Sequence, residues 1–271
     1  MQLSNLTGAI HTRKSRRNFL PKPLKAEHYD KLSEFIGSIE VPFENDVAVS
    51  LHYAGGRTPF MPFKGPEHFA AFTGEPGILS QAKTGFTGEL FILFAESLGI
   101  GTCWYGHYLK NNVYQVVYGD KDYTPLGAIY CVTPLGYYAN KKYFTENVTD
   151  LLFRKKKSVE QNLHPDSVKS IPPHILSALE LACLAPSAMN SQCWYFKVTK
   201  QDSEYIVEIS KPVGYQHFKW KYTDIDVGAA ACHFWLGLLN QQTAPVVELK
   251  EISDRAVWTF TVDDSDGVSE I

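Results

Sequence analysis

Two stretches of this chain are apolar on every side of a helix, and they constrain the fold more than any other feature. Gly88–Leu98 carries Leu90, Phe91, Ile92, Leu93, Phe94 and Ala95; Val227–Leu239 carries Ala229, Ala230, Ala231, Phe234, Trp235, Leu236 and Leu239. A helix without a polar face has to be covered all round. The most apolar run, Leu90–Ala95, is far short of the roughly 20 residues that span a bilayer. The simplest solution is that the two helices cover each other at the centre of one molecule.

The elements around them repeat. Helical spacing in Leu24–Ile36 (Leu24, Tyr29, Leu32, Phe35, Ile36) is matched by Ile175, Leu179, Ala182 and Cys183, entered through Pro172-Pro173 and stopped by Pro186. Alternation suited to strands follows each helix, in Val47, Val49, Leu51 and Tyr53, then in Trp194, Phe196, Val198 and Ile206–Ile209. Closing strands are expected at Leu126–Thr133 and Ala256–Val262, with the polar run Lys155–Asp166 as the connection. The reading is an α+β protein of two similar halves, residues 1–157 and 158–271, against the plainer alternative of one irregular domain.

Composition fits a packed, soluble chain. Of 271 residues 44% are hydrophobic and 20% charged, and a net charge of −3 lacks the basic excess that nucleic acid demands. Five scattered cysteines with no Cys-x-x-Cys pair suit a reducing compartment. With no apolar segment near the start that resembles a signal peptide, the expectation is a cytoplasmic protein with no membrane partner.

Three segments could together build a binding site. Arg13-Lys14-Ser15-Arg16-Arg17 offers guanidinium forks and a hydroxyl suited to a phosphate, although a solvated basic arm has the same composition. Pro186-Ser187-Ala188-Met189-Asn190-Ser191-Gln192 joins a helix to a strand through short polar side chains and amides that match the alternating donors and acceptors of a heterocyclic edge. Gly99-Ile100-Gly101 follows the first apolar helix; Gly99 can cap it, and Gly101 leaves backbone open to a flat ring. His107, His217 and His233 have no metal-ligand spacing, Ser187 and Ser191 no nucleophile elbow, and Cys193 reads as a packed thiol. Trp104, Tyr105, Trp220 and Tyr222 are candidates for a ring-stacking face, though aromatics more often simply pack.

Taken together these segments resemble the FMN-dependent nitroreductase family. Arg13 to Phe19 resembles its Arg-Arg-Ser-x-Arg-x-Phe signature, Ala185 to Trp194 its Ala-Pro-Ser-x-x-Asn-x-Gln-Pro-Trp signature with Cys193 for proline, and Leu98 to Thr102 its Gly-Leu-Gly turn. Leu135-Gly136-Tyr137 and Arg154-Lys155-Lys156-Lys157 resemble its Gly-Tyr-Pro and closing basic run. The order departs from the family pattern, because the Pro-Ser-x-x-Asn loop lies in the second half instead of before the glycine turn. That looks like the branch in which two repeats share one chain as a pseudo-dimer.

The resemblance implies one FMN. Arg13 and Ser15 would serve the phosphate with Arg154 or Lys156, Lys14 would belong to the cofactor site in place of the family's usual arginine or histidine, and Arg17 would stand near flavin N1 and O2. Gly99, Ile100 and Gly101 would offer backbone near N5, and Pro186, Ser187, Ala188, Asn190 and Gln192 would reach across from the other half. It further implies NAD(P)H as donor, a ping-pong exchange with nitroaromatic or quinone-like acceptors, no catalytic side chain, and a monomer. A protein that binds FMN without turnover is the competing expectation.

Overall fold

A computed structural model describes residues 3–57, 59–60, 65–119, 127–138 and 155–264. The first half holds α1 (Thr7–Thr12), α2 (Ala26–Gly37), β1 (Ala48–Tyr53), β2 (His68–Gly74), α3 (Ile78–Ser97), α4 (Lys110–Tyr118) and β3 (Ala128–Leu135). After it come α5 (Val159–Asn162), α6 (Pro173–Cys183), β4 (Tyr195–Gln201), β5 (Glu204–Ser210), α7 (Thr223–Asn240), β6 (Val246–Ile252) and β7 (Arg255–Asp263). Two antiparallel sheets form, in the orders β1-β2-β3 and β4-β5-β7-β6. Helix, two paired strands, long helix, and a last strand beside the second of the pair: both halves follow this plan, and the second adds β6 as an exposed edge.

The two apolar stretches are the cores of α3 and α7. They pack on each other, and both are buried almost throughout. Helix α3 begins at Ile78, ten residues before the apolar run begins, because its first turns use small residues that read as loop in the sequence. Those small residues make the crossing possible. A Cβ on Gly85 would lie 2.0 Å from the carbonyl oxygen of Ile225 and 3.0 Å from the nitrogen of Ala229. A Cβ on Gly228 would lie 2.0 Å from the carbonyl oxygen of Ala82 and 2.9 Å from the nitrogen of Phe86. Each glycine therefore meets the residue three before and the residue one after the other glycine. That is the reciprocity of an isologous contact, made within a single chain.

A buried ionic knot sits beside the crossing. Glu89 of α3, wholly buried, accepts the indole N–H of Trp104 at 2.7 Å and pairs with His233 Nε2 of α7 at 3.0 Å. Arg13 Nε, at the end of α1, lies 3.5 Å from the same carboxylate. The other ring nitrogen of His233 reaches the carbonyl of Leu181, so one charged group ties α3, α7, α6 and the N-terminal arm. Helix α3 ends as the sequence suggests. Gly99 stands at φ +71°, its N–H bonds the carbonyl of Glu96, and that of Ile100 bonds Ala95, which is a Schellman stop.

A second, smaller core lies on the outer face of the first sheet, where Phe60, Phe69, Ile129 and Val132 pack with Val113 of α4. Lys155–Asp166, expected as a plain connection, is docked on the second half. Ser158 opens α5 with a capping box, and the backbone of Leu163 and His164 meets Phe196. Among the described residues no helix is long and apolar enough to cross a membrane.

Two outcomes check this account. Gly85→Ala and Gly228→Ala should each destabilise by about 1–3 kcal/mol or more in urea unfolding, since the new methyl meets backbone that cannot yield. Helix propensity alone predicts the opposite sign, and Gly8→Ala, which meets nothing within 4 Å, should follow propensity and gain about 0.5–1 kcal/mol. Glu89→Ala should cost about 3–5 kcal/mol, because it strands the Arg13 and His233 side chains in the interior. A loss below about 1 kcal/mol would show the knot to be incidental.

Candidate functional site

A cavity of about 420 Å³ opens where the N-terminal arm meets the loop after α6. Ser15 and Arg17 of the arm line it together with Pro186, Ser187, Ala188 and Met189 of the loop. Trp104, Tyr105 and Trp220 supply aromatic surface, while Tyr222 stands behind Trp220, ring centroids 5.2 Å apart. A mostly apolar cleft of this size with a few converging polar groups is the usual form of a small-molecule site.

The arm is held by main-chain bonds. Ser15 bridges Thr102, the N–H of Arg16 bonds the Thr102 carbonyl at 2.7 Å, and the N–H of Leu20 bonds Tyr137. The Arg16 guanidinium lies 3.8 Å over the Tyr138 ring, a cation–π contact. A Cβ on Gly101 would meet that ring at 2.6 Å and Arg16 Cγ at 3.0 Å, so glycine is required there by close packing. Gly99, Ile100 and Gly101 thus brace the arm: Ile100 is buried in the main core and Gly101 pairs with Gly136. None of the three lines the cavity. Lys14 is exposed, and Arg154 lies outside the described residues.

The loop Ser187–Gln192 is wound through left-handed conformations at Met189, Asn190 and Gln192, with φ of 50°, 56° and 48°. Each such non-glycine residue costs on the order of 1–3 kcal/mol and persists only where surroundings dictate it. Here they do. The amides of Asn190 and Gln192 both donate to the carbonyl of Lys155 at 3.0 Å, and Gln192 Oε1 accepts the N–H of Lys157 at 2.7 Å. Lys157 Nζ returns a bond to the Gln192 carbonyl, and Ser187 Oγ accepts the N–H of Gln192. Asn190 and Gln192 therefore clasp the basic run, leaving Pro186, Ser187 and Ala188 on the cavity.

Beside the clasp two cations converge. Lys156 Nζ donates to the carbonyl of Ala185, and burial, followed by the charge of Arg13, lowers its pKa to about 8 against the pull of Glu89. Arg13 Nε and Nη1 are buried, with no hydrogen-bond partner among the described residues. Two like charges held together, with unsatisfied donors between the arm and the loop, form an arrangement suited to an anion.

The floor carries a group that sequence reasoning missed. Asp226, in the first turn of α7, lines the cavity at only 6% exposure, and both its oxygens lie near the N–H of Ala188, at 3.2 and 3.1 Å. Burial raises its pKa to about 8, opposed by the Ala188 bond and Lys156 and reinforced by Asp224. In the sequence Thr223-Asp224-Ile225-Asp226 reads as ordinary acidic dressing of a helix start. Glu89 was missed as well, although it and Glu96 are carboxylates inside an otherwise apolar helical run. His107, His217 and Lys219 rim the cavity, and among the described residues no group of His, Cys, Asp and Glu could hold a metal.

Comparison with known proteins gives the family and the fold. The model of a family described as "Putative TM nitroreductase" matches residues 5–238. The putative nitroreductase of Thermotoga maritima superposes over 94% of this chain and 92% of its own, at 20% identity and a TM-score of 0.61. Shorter chains also match. A nitroreductase family protein of Clostridium difficile does so over 60% of this chain and 98% of its own (13% identity, TM-score 0.44). An FMN-dependent nitroreductase of the same organism covers 50% and 88% (13%, 0.39). No curated protein matches the sequence. The α+β architecture is the nitroreductase fold. With its family model matched over most of its length, this chain belongs to the TM nitroreductase family.

Proposed function

We propose that the chain is an FMN-dependent oxidoreductase that takes a hydride from NAD(P)H and passes it to nitroaromatic or quinone-like acceptors, one after the other at the same open face. Family membership supports an oxidoreductase. The observation that carries the flavin is the cavity itself, walled by Ser15 and Arg17 from the arm and by Pro186, Ser187 and Ala188 from the loop. Those are the segments whose motifs resemble the family's FMN signatures.

The residues present fit the nucleotide. Arg13, ion-paired with Glu89 but with buried donors that make no hydrogen bond, and the neighbouring cation Lys156 meet where a phosphate dianion would relieve their repulsion. Arg17 supplies positive charge on the arm side of the cavity, which favours a reduced, anionic ring. Trp104, fixed by Glu89, and Trp220 offer flat faces that exclude water. When bound, FMN supplies two-electron transfer, so the protein needs no nucleophile. The reciprocal crossing of α3 and α7 supports the pseudo-dimer reading, with halves divided near residue 157 and one cavity on their seam. A monomer carrying one FMN follows, acting on small molecules in the cytoplasm.

The test is titration of the purified, flavin-stripped protein with FMN and riboflavin, followed by NADH and NADPH consumption with menadione. Flavin bound with no turnover would instead support the storage or sensing role. Lys156→Met should weaken FMN about 10–100-fold, the worth of a hydrogen bond to a charged group, and leave riboflavin unchanged. Equal losses for both flavins would remove Lys156 from the phosphate.

The pH dependence has a fixed sign. Lys156 is charged below about 8 and neutral above it, so FMN affinity should fall as pH rises through that value. The drop should flatten in Lys156→Met and be weak for riboflavin, and affinity that rises with pH would contradict the assignment.

A further inference from the structure

We propose that Asp226 is the proton donor of this cavity, delivering a proton to the oxygen of a quinone-class acceptor as that acceptor takes up a hydride. The inference rests on the flavin reading above and adds a catalytic side chain to a site where the cofactor alone had been expected to act.

Hydrogen bonding at the carboxyl points this way first. Among the described residues its partner is the N–H of Ala188, which is itself a donor. Among the described residues a proton carried by Asp226 therefore has no acceptor, and it is left for a molecule in the cavity. Position is the second argument. Asp226 is the sole acidic residue among the described residues that line the cavity, and it is nearly buried in the first turn of α7 against the N–H of Ala188 in the strained loop.

The groups that face Asp226 favour the same conclusion. On its own helix Asp224 adds negative charge but spends it on Lys211, at 2.6 Å, and on the N–H of Ala256. Lys156, from the basic run, is the opposing cation, and it is outweighed by burial. Cys131 of β3 and Cys193 of the loop are buried thiols, pushed well up by burial and then by the charge of Asp226; Tyr215 is raised mainly by burial. None of these three releases a proton near neutrality. Arg17, His107, His217 and Lys219 lie on the arm wall and the rim, and the last two are already linked through the N–H of Lys219 and His217 Nδ1. Asp226 thus holds its proton up to about pH 8 on a cavity that a substrate can enter. A neutral carboxylic acid kept for donation in an apolar pocket has precedent in enzyme chemistry.

The balance is simple. A quinone gains two electrons and one proton as hydride, drawn from reduced nicotinamide by way of the flavin. The carboxyl O–H of Asp226 breaks, a new O–H forms on the acceptor oxygen, and the hydroquinone leaves. The carboxylate is reprotonated from solvent through the rim.

The experiment is Asp226→Asn, an isosteric change that keeps an acceptor for Ala188, measured in separate half-reactions by stopped flow and, without flavin, by infrared spectroscopy. Acceptor reduction should slow about 100-fold, the usual worth of a general acid, with its solvent isotope effect lost, while FMN affinity and reduction by NADH change less than about threefold. In the flavin-free wild-type protein a carboxylic acid carbonyl band should be present below pH 8, vanish above it, and be absent from the variant. Normal FMN binding with acceptor reduction within about threefold of wild type overturns the role of Asp226 alone, as does a wild-type protein without that titrating band. A wild-type protein that binds no flavin overturns the cofactor reading, and this role with it.

Discussion

Gly85 and Gly228 let the backbones of α3 and α7 touch, and the rest of the molecule is registered against that contact. A side chain at either position would have to pass through a carbonyl oxygen 2.0 Å away. Because the two helices cross so closely, Glu89 of one reaches His233 of the other, and Arg13 and Trp104 are drawn to the same carboxylate. The same crossing sets the first turn of α7, with Asp226, beneath the loop after α6. The cavity lies beside that crossing, lined by the N-terminal arm and by the loop after α6.

Charge explains why that place is chemically special. Arg13 and Lys156 press toward each other with Glu89 behind them, and a few residues away Asp226 is buried enough to stay neutral near physiological pH. Around these groups the loop from Ser187 to Gln192 is held in left-handed conformations by its clasp on Lys155–Lys157. Strain of this kind persists where the surroundings over-determine it, and it clusters at binding sites. A protein that needed only to fold would have little use for paired cations and a strained loop beside a cleft that a buried acid lines.

Much of this was legible in the sequence. The all-apolar runs located the central helices, and alternation placed β1, β4, β5 and β7, because burial on one or all faces leaves a period. The start of α3 was hidden because Ser80, Thr84, Gly85 and Thr87 read as loop, yet small residues are what a close crossing demands. Helices α1, α4 and α5 and strands β2 and β6 were not anticipated; β2 is buried on both faces and loses its alternation, and β6 is an exposed edge that mixes Val246, Val247, Leu249 and Ile252 with Glu248, Lys250 and Glu251. Among the site residues, Ser15, Arg17, Pro186, Ser187 and Ala188 come together on the cavity. Gly99, Ile100 and Gly101 brace the arm, and Asn190 and Gln192 hold the basic run, because local spacing cannot say which polar group a neighbouring segment will claim. Asp226 was invisible for the same reason, since only the fold brings it under Ala188.

The central claim is that one nucleotide spans the seam between the halves. A crystal structure of the protein with FMN tests it most directly. The account predicts the ring system in the cavity, touching Arg17 on one side and Ser187 or Ala188 on the other, with the phosphate beside Arg13 and Lys156. A flavin that contacts only one half, or that lies away from this cavity, would contradict it.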